Sequence, residues 1–161
     1  MLRGGYSNEP STVGENLKAI LASGIAGINI EDGTDEPALL AKKIEAIKRI
    51  ASSMNVDVFV NARTDVYLQN LVADQKKVEE TLARAAIYRA AGADGLFVPA
   101  LADLAQIAKI TAGTELRVNL LAWAGFSKVS ELGKLGARRI SAGSGSEALP
   151  YGEEASHGAV F

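Results

Sequence analysis

Hydrophobic and polar positions run along this chain in two rhythms. The first is helical. In PSTVGENLKAILASG, Val13, Leu17, Ile20 and Leu21 fall on one helical face, and Gly24 sits where a helix would stop. EPALLAKKIEAIKRIASSM predicts a long amphipathic helix with Pro37 in its first turn, where a missing N–H is tolerated. KKVEETLARAAIYRAAG ends at Gly92, LADLAQIAKITAG ends at Gly113, and SKVSELGKLG is a shorter piece of the same kind. The second rhythm is short and apolar. GINIE, DVFVNA, GLFVP, LRVNLLA and RRISAG lie between the helices and are almost continuously hydrophobic. Parallel strands covered on both faces have that character. Regular alternation of the two predicts an α/β fold with a parallel sheet.

A weak repeat sharpens the picture. ASGIAGINIED, AAGADGLFVPA and GKLGARRISAG share one layout, in which a helix stops on glycine, a tight turn follows and an apolar strand begins. In a (β/α) repeat that end stabilises, and the opposite end, where strands hand over to helices, carries the chemistry. Glu31, Asp32, Asn61, Arg63, Pro99, Asn119 and Ser141 all fall at or near those carboxyl ends. Two acids closing a buried strand therefore point to a crevice. Five strands, with a possible stub at MLRGG, fall short of the eight strands and roughly 250 residues of a complete barrel. The expectation is a partial TIM-type (β/α)8 barrel over residues 1–145, followed by a Gly/Ser-rich loop or tail at 146–161. Such a barrel would leave two open sheet edges, at the GINIE side and at RRISAG. Ile28, Ile30, Phe59, Leu96 and Val118 would stand on uncovered inner faces, and a homo-oligomer is expected.

Composition narrows the chemistry. The chain has 161 residues, 48% hydrophobic and 22% charged, with a net charge of −2. No basic block suggests nucleic acid, and no apolar run approaches the roughly 20 residues of a membrane span. MLRGGYS has no apolar signal region, so a cytoplasmic setting is expected. There is no cysteine, which removes disulfides, thiolate metal sites and a cysteine nucleophile. The one histidine, His157, lies in the tail and reads as a solvated residue.

GGYSNEPSTVGENLKAILASGIAGINIEDG, NARTDVYL, AAIYRAAGADGLFVPAL and LGARRISAGS, in this order and spacing over about residues 4 to 145, resemble the isocitrate lyase / phosphoenolpyruvate mutase superfamily. The resemblance implies a (β/α)8 barrel, a Mg²⁺ ion and a small 2-oxo or 2-hydroxy carboxylate substrate. A C–C or P–C bond would be made or broken through an enolate. It also implies roles for particular residues. Glu31 resembles the acid in the metal's ligand sphere, and Arg63 the arginine that binds the substrate carboxylate. Asn119 matches a polar site-facing position, and Asn61 lies beside Arg63 on the same strand. Gly4, Gly5 and Tyr6 resemble the glycine turn after the third strand and would help bind substrate.

The departures define a second reading. Where the superfamily carries Asp-x-Asp or Asp-x-Glu before the glycine turn, this chain has Met1 and Arg3. In place of the Lys-Lys-Cys-Gly loop stands DGTDEPALL, which argues against isocitrate and methylisocitrate lyase activity. The first two strands and the swapped C-terminal helix have no counterpart. One expectation is a Mg²⁺-assisted lyase or mutase; the other is a truncated, catalytically inactive member acting as a scaffold or assembly partner, with weak metal binding.

Other readings stay open at single residues. Asp32 is either a site acid or a charge favouring the next helix's N-terminus. Arg63 either grips a carboxylate or pairs with Asp65. SAGSGS (141–146) either cradles an anion or links to the tail. Trp123 and Phe126 either line a pocket mouth or, as the favoured reading, serve packing.

Overall fold

The computed structural model describes residues 4–122 and 128–142. Five parallel strands, β1 (Gly27–Glu31), β2 (Phe59–Arg63), β3 (Gly95–Val98), β4 (Arg117–Leu121) and β5 (Arg139–Ser141), pair in chain order into one sheet. Helix α1 (Pro10–Ala22) precedes β1, and α2 (Pro37–Ser53), α3 (Lys77–Ala90), α4 (Leu104–Gly113) and α5 (Val129–Lys134) connect successive strands. The result is a curled half-barrel of the TIM type, as the strand count predicts.

Local chemistry explains the boundaries. Pro10 and Pro37 open α1 and α2. Asp103 caps α4 by accepting the Gln106 backbone N–H at 2.8 Å. The predicted glycine stops appear at Gly24, Gly92 and Gly136, with φ of +82°, +102° and +96°. A side chain is strained in that left-handed region, so these three reversals use glycine. The α2–β2 reversal uses Asn55 at φ +56°, and Gly113 closes α4 without a left-handed turn.

The two faces of the sheet differ sharply, because side chains alternate along a strand. Ile28 and Ile30, Val60 and Ala62, Leu96 and Val98, and Val118 and Leu120 join one hydrophobic core with residues of all five helices, including Leu17, Leu40, Ile44, Ile47, Tyr88, Ile107, Ile110 and Leu132. The expectation that Ile28, Ile30, Leu96 and Val118 would stand uncovered is therefore corrected. They face the helices and are buried. Phe59 alone of that set lies on the other face, half-buried under the Arg117 guanidinium. The expectation of two apolar faces is corrected as well. The concave face holds Asn29, Glu31, Asn61, Arg63, Phe97, Asn119 and Ser141, and among the described residues the helices cover the convex face.

Met1, Arg3, Trp123, Phe126, residues 143–146 of the SAGSGS run, and the 146–161 tail with His157 lie outside the described residues. Gly4–Tyr6 form a single 3-10 turn rather than a strand stub. Among the described residues, no helix is long and apolar enough to cross a membrane.

Candidate functional site

Glu31 and Arg63 end β1 and β2 and are register partners. Both side chains reach the concave face at its carboxyl end, and Arg63 Nη1 stands 2.9 Å from Glu31 Oε2. Arg63 is further held by Asp65, two residues on. The guanidinium donates from Nε to Asp65 Oδ1 at 2.7 Å and from Nη2 to Oδ2 at 3.1 Å. This two-pronged grip fixes the plane of the guanidinium. The Phe97 ring lies 5.9 Å from its central carbon, on the register-paired strand. The side chains of Arg63 and Glu31 are only 14% and 18% exposed, so this pair is shielded from bulk water.

One layer deeper, Asn61 Nδ2 donates to Asn29 Oδ1 at 2.8 Å. Asn61 is buried, and among the described residues its Oδ1 finds no donor. Gly95 makes room for that amide, since a Cβ there would come within 2.7 Å of Asn61 Oδ1 and 3.1 Å of the Arg117 carbonyl. Asn119 and Ser141 form a second polar pair at 3.1–3.2 Å. The structure thus brings Glu31, Arg63, Asn61 and Asn119 onto one surface. Asn29 belongs with them and was not singled out in the sequence. Its signal was there, as an asparagine at the third position of GINIE, FVNAR and RVNLL alike.

Asp32 goes elsewhere. One residue beyond Glu31, it turns to the helix layer. Its Oδ1 accepts the Asp65 backbone N–H at 2.9 Å, and its Oδ2 accepts Arg84 Nη1 at 2.8 Å and the Tyr88 hydroxyl at 2.5 Å. Its side chain is fully buried. Asp32 is neither a site acid nor a helix-end charge, but the centre of a buried network.

The glycine turn packs against α1 and β1. Gly5, with φ +81°, packs against Val13, where a Cβ would come within 2.6 Å. The Gly4 carbonyl accepts Lys43 Nζ at 2.7 Å. Tyr6 is 70% exposed and lines an open hollow of about 410 Å³ with Gly27, Ile28, Asn29 and Arg139. Neither Glu31 nor Arg63 lines that hollow.

Burial shifts several groups. It pushes the Tyr67 hydroxyl up to about 12, helped by the charge of Asp103. It pushes Tyr88 up further, with the Asp32 carboxylate adding to the effect. Burial lowers Lys43, and Asp35 opposes that shift. The two tyrosines carry a pH consequence. An unfolded tyrosine titrates near 10. Below that pH both states are protonated and the tyrosines' contribution is complete. Above it the unfolded chain ionises first, so the contribution is lost from about pH 10 through 12. Urea unfolding across pH 9–12 is expected to show stability falling in that window, with a shallower fall in Tyr88→Phe. Equal slopes in the two proteins would refute the assignment.

Does this surface fit a magnesium ion? Mg²⁺ needs hard oxygen ligands in an octahedral set. Glu31 is the carboxylate that the resemblance offers for it, and the Arg63 guanidinium stands 2.9 Å from its Oε2. Among the described residues, no group of three Asp, Glu, His or Cys converges. The described residues do not fit the ion as they stand.

A parallel half-barrel with its charged and amide side chains gathered on the concave face defines the class: half of a (β/α)-barrel site. The phosphoenolpyruvate phosphomutase family model matches residues 2–152, and the chain belongs to that family. An uncharacterized protein of Mycobacterium tuberculosis (strain ATCC 25618 / H37Rv) is 41% identical over 151 residues, covering 91% of this chain and 53% of its own. An oxaloacetate decarboxylase of Bradyrhizobium sp. (strain BTAi1 / ATCC BAA-1182) is 31% identical over 140 residues, covering 84% of this chain and 48% of its own. The crystal structure of a candidate phosphonomutase from Burkholderia cenocepacia J2315 superposes with a TM-score of 0.87 at 36% identity, over 96% of this chain and 65% of that one. A 2,3-dimethylmalate lyase, a phosphoenolpyruvate mutase/isocitrate lyase superfamily member, superposes at 0.78 with 21% identity, over 91% of this chain and 52% of that one, and supports the fold alone. The chain spans about half the length of the curated relatives it matches.

Proposed function

We propose that the concave face is the carboxylate-binding half of a lyase or mutase site, acting on a C–C or P–C bond of a small 2-oxo or 2-hydroxy carboxylate. The observation that carries this is Arg63, a shielded guanidinium at the carboxyl end of β2 whose orientation Asp65 fixes. Arg63 binds and orients the substrate carboxylate from its Nη1 side. Asn61, whose Oδ1 has no donor among the described residues, and Asn119 offer polar contacts deeper in the face. Magnesium has no step in this reading.

One observation favours the second reading, a non-catalytic scaffold. Arg63 already faces two carboxylates. At an effective dielectric of ~20, a substrate carboxylate about 4 Å from the guanidinium gains on the order of 4 kcal/mol. Two fixed carboxylates about 6 Å away would together repel it by on the order of 5–6 kcal/mol. Tight anion binding therefore requires Glu31 to move aside or lose its charge.

That balance supplies the test. Oxalate, a planar mimic of a 2-oxo acid enolate, is titrated by calorimetry. Wild type is expected to bind weakly, Glu31→Gln to bind about 10- to 100-fold more tightly through relief of one repulsion, and Arg63→Lys to lose binding in either background, because a point charge cannot replace the fork. Oxalate affinity indifferent to both changes would sink the carboxylate reading. Turnover of oxaloacetate, lost in Arg63→Lys, would favour the enzyme; binding without turnover would favour the scaffold.

A further inference from the structure

The buried network behind β1 runs without a break to the guanidinium on the concave face. On α3, Glu80 Oε1 accepts Arg84 Nε at 2.7 Å and orients that side chain. Arg84 Nη1 and the Tyr88 hydroxyl then converge on Asp32 Oδ2 at 2.8 and 2.5 Å. With one oxygen clamped, Asp32 presents the other to the Asp65 backbone N–H at 2.9 Å. Asp65 in turn grips Arg63 through both carboxylate oxygens. Asp32, Asp65, Arg84 and Tyr88 are all buried, and a buried charge held by several directed bonds has one favourable geometry. The Asp32–Asp65 bond also joins the segments that follow β1 and β2, which carry Glu31 and Arg63.

We propose that Asp32 is a positioning residue for Arg63: α3 clamps the Asp32 carboxylate through Arg84 and Tyr88, Asp32 fixes the Asp65 backbone, and Asp65 aims the guanidinium. This rests on Arg63 being the carboxylate anchor, and it deepens that reading by tracing the anchor's geometry to a helix on the opposite side of the sheet. A general stabilising role would loosen the whole sheet on mutation. A positioning role changes Arg63 first.

The two are separated by a signature of Arg63 itself. In a ¹⁵N–¹H spectrum tuned to arginine side chains, Arg63→Lys identifies the Arg63 Nε–H signal. Held on Asp65, that proton should be displaced from those of exposed arginines and exchange slowly with water. In Tyr88→Phe, which keeps the ring and removes one donor to Asp32, its exchange should quicken about tenfold, the worth of one hydrogen bond. The core amides of β3 should stay protected. Asp32→Asn should do more, and where it fails to fold Tyr88→Phe decides alone. An unmoved Nε–H signal in Tyr88→Phe, with or without loosened core amides, would overturn the proposal. If the signal responds and oxalate affinity ignores Arg63→Lys, the relay stands and the carboxylate reading falls.

Discussion

Asp32→Ala is expected to remove about 3–5 kcal/mol of folding stability, the loss that follows when one partner of a buried ion pair is deleted. Glu31→Ala, one residue earlier, is expected to cost about 1–2 kcal/mol, more than an exposed pair because the side chains of Arg63 and Glu31 are only 14% and 18% exposed. The contrast follows from the partners each acid leaves behind. Without Asp32, the Arg84 guanidinium keeps Glu80, which is itself partly exposed, and a long 3.5 Å bond to the Asp35 carbonyl. The Tyr88 hydroxyl and the Asp65 backbone N–H lose their acceptor inside the protein. Each such buried orphan adds roughly 1–3 kcal/mol. Without Glu31, Arg63 still holds both oxygens of Asp65. Domains of this size have about 5–15 kcal/mol in all, so the first change threatens folding and the second does not. Urea midpoints for the two variants decide it. Comparable losses would show that the two acids share one environment.

This pair also shows what the sequence makes legible and what it hides. Glycines with left-handed φ, prolines at helix starts and the 3.6-residue rhythm are local signals. They place the five α-helices and five strands of the described residues. The direction of a carboxylate is not local. Glu31 and Asp32 look alike as letters, and the period of two sends one to Arg63 and the other to Arg84 and Tyr88, 52 and 56 residues away. The polar face was hidden for a different reason. GINIE, FVNAR and RVNLL each carry one asparagine among more numerous apolar residues, so they read as uniformly buried strands. Reading alternate positions separately would have aligned Asn29, Asn61 and Asn119 on one face. Arg63 was legible as a carboxylate binder or an Asp65 partner. The structure gives it Asp65 and Glu31 together, a geometry that depends on the register of two strands.

The described sheet is expected to recruit further protein, giving a mass above that of one 16.8 kDa chain. Its order, β1 through β5, leaves β1 and β5 as the two edge strands among the described residues. An edge strand presents unpaired N–H and C=O groups, a template for another strand. At β1 the edge borders the open hollow of about 410 Å³, where Ile20 and Ile25 offer apolar contact and Asn29 and Arg139 polar contact. A second copy laid along these edges would satisfy backbone groups and cover the hollow together. Closed pairing of that kind needs only the same surface on both partners. The helices on the convex face need no such cover, since their apolar residues already meet the sheet. Association should therefore depend on the edges and leave the core unchanged. Sedimentation at several concentrations should show a mass that rises with concentration, and hydrogen exchange should slow in β1 and β5 while β3 stays as it was. A concentration-independent monomer with fast-exchanging β1 amides would refute the recruitment.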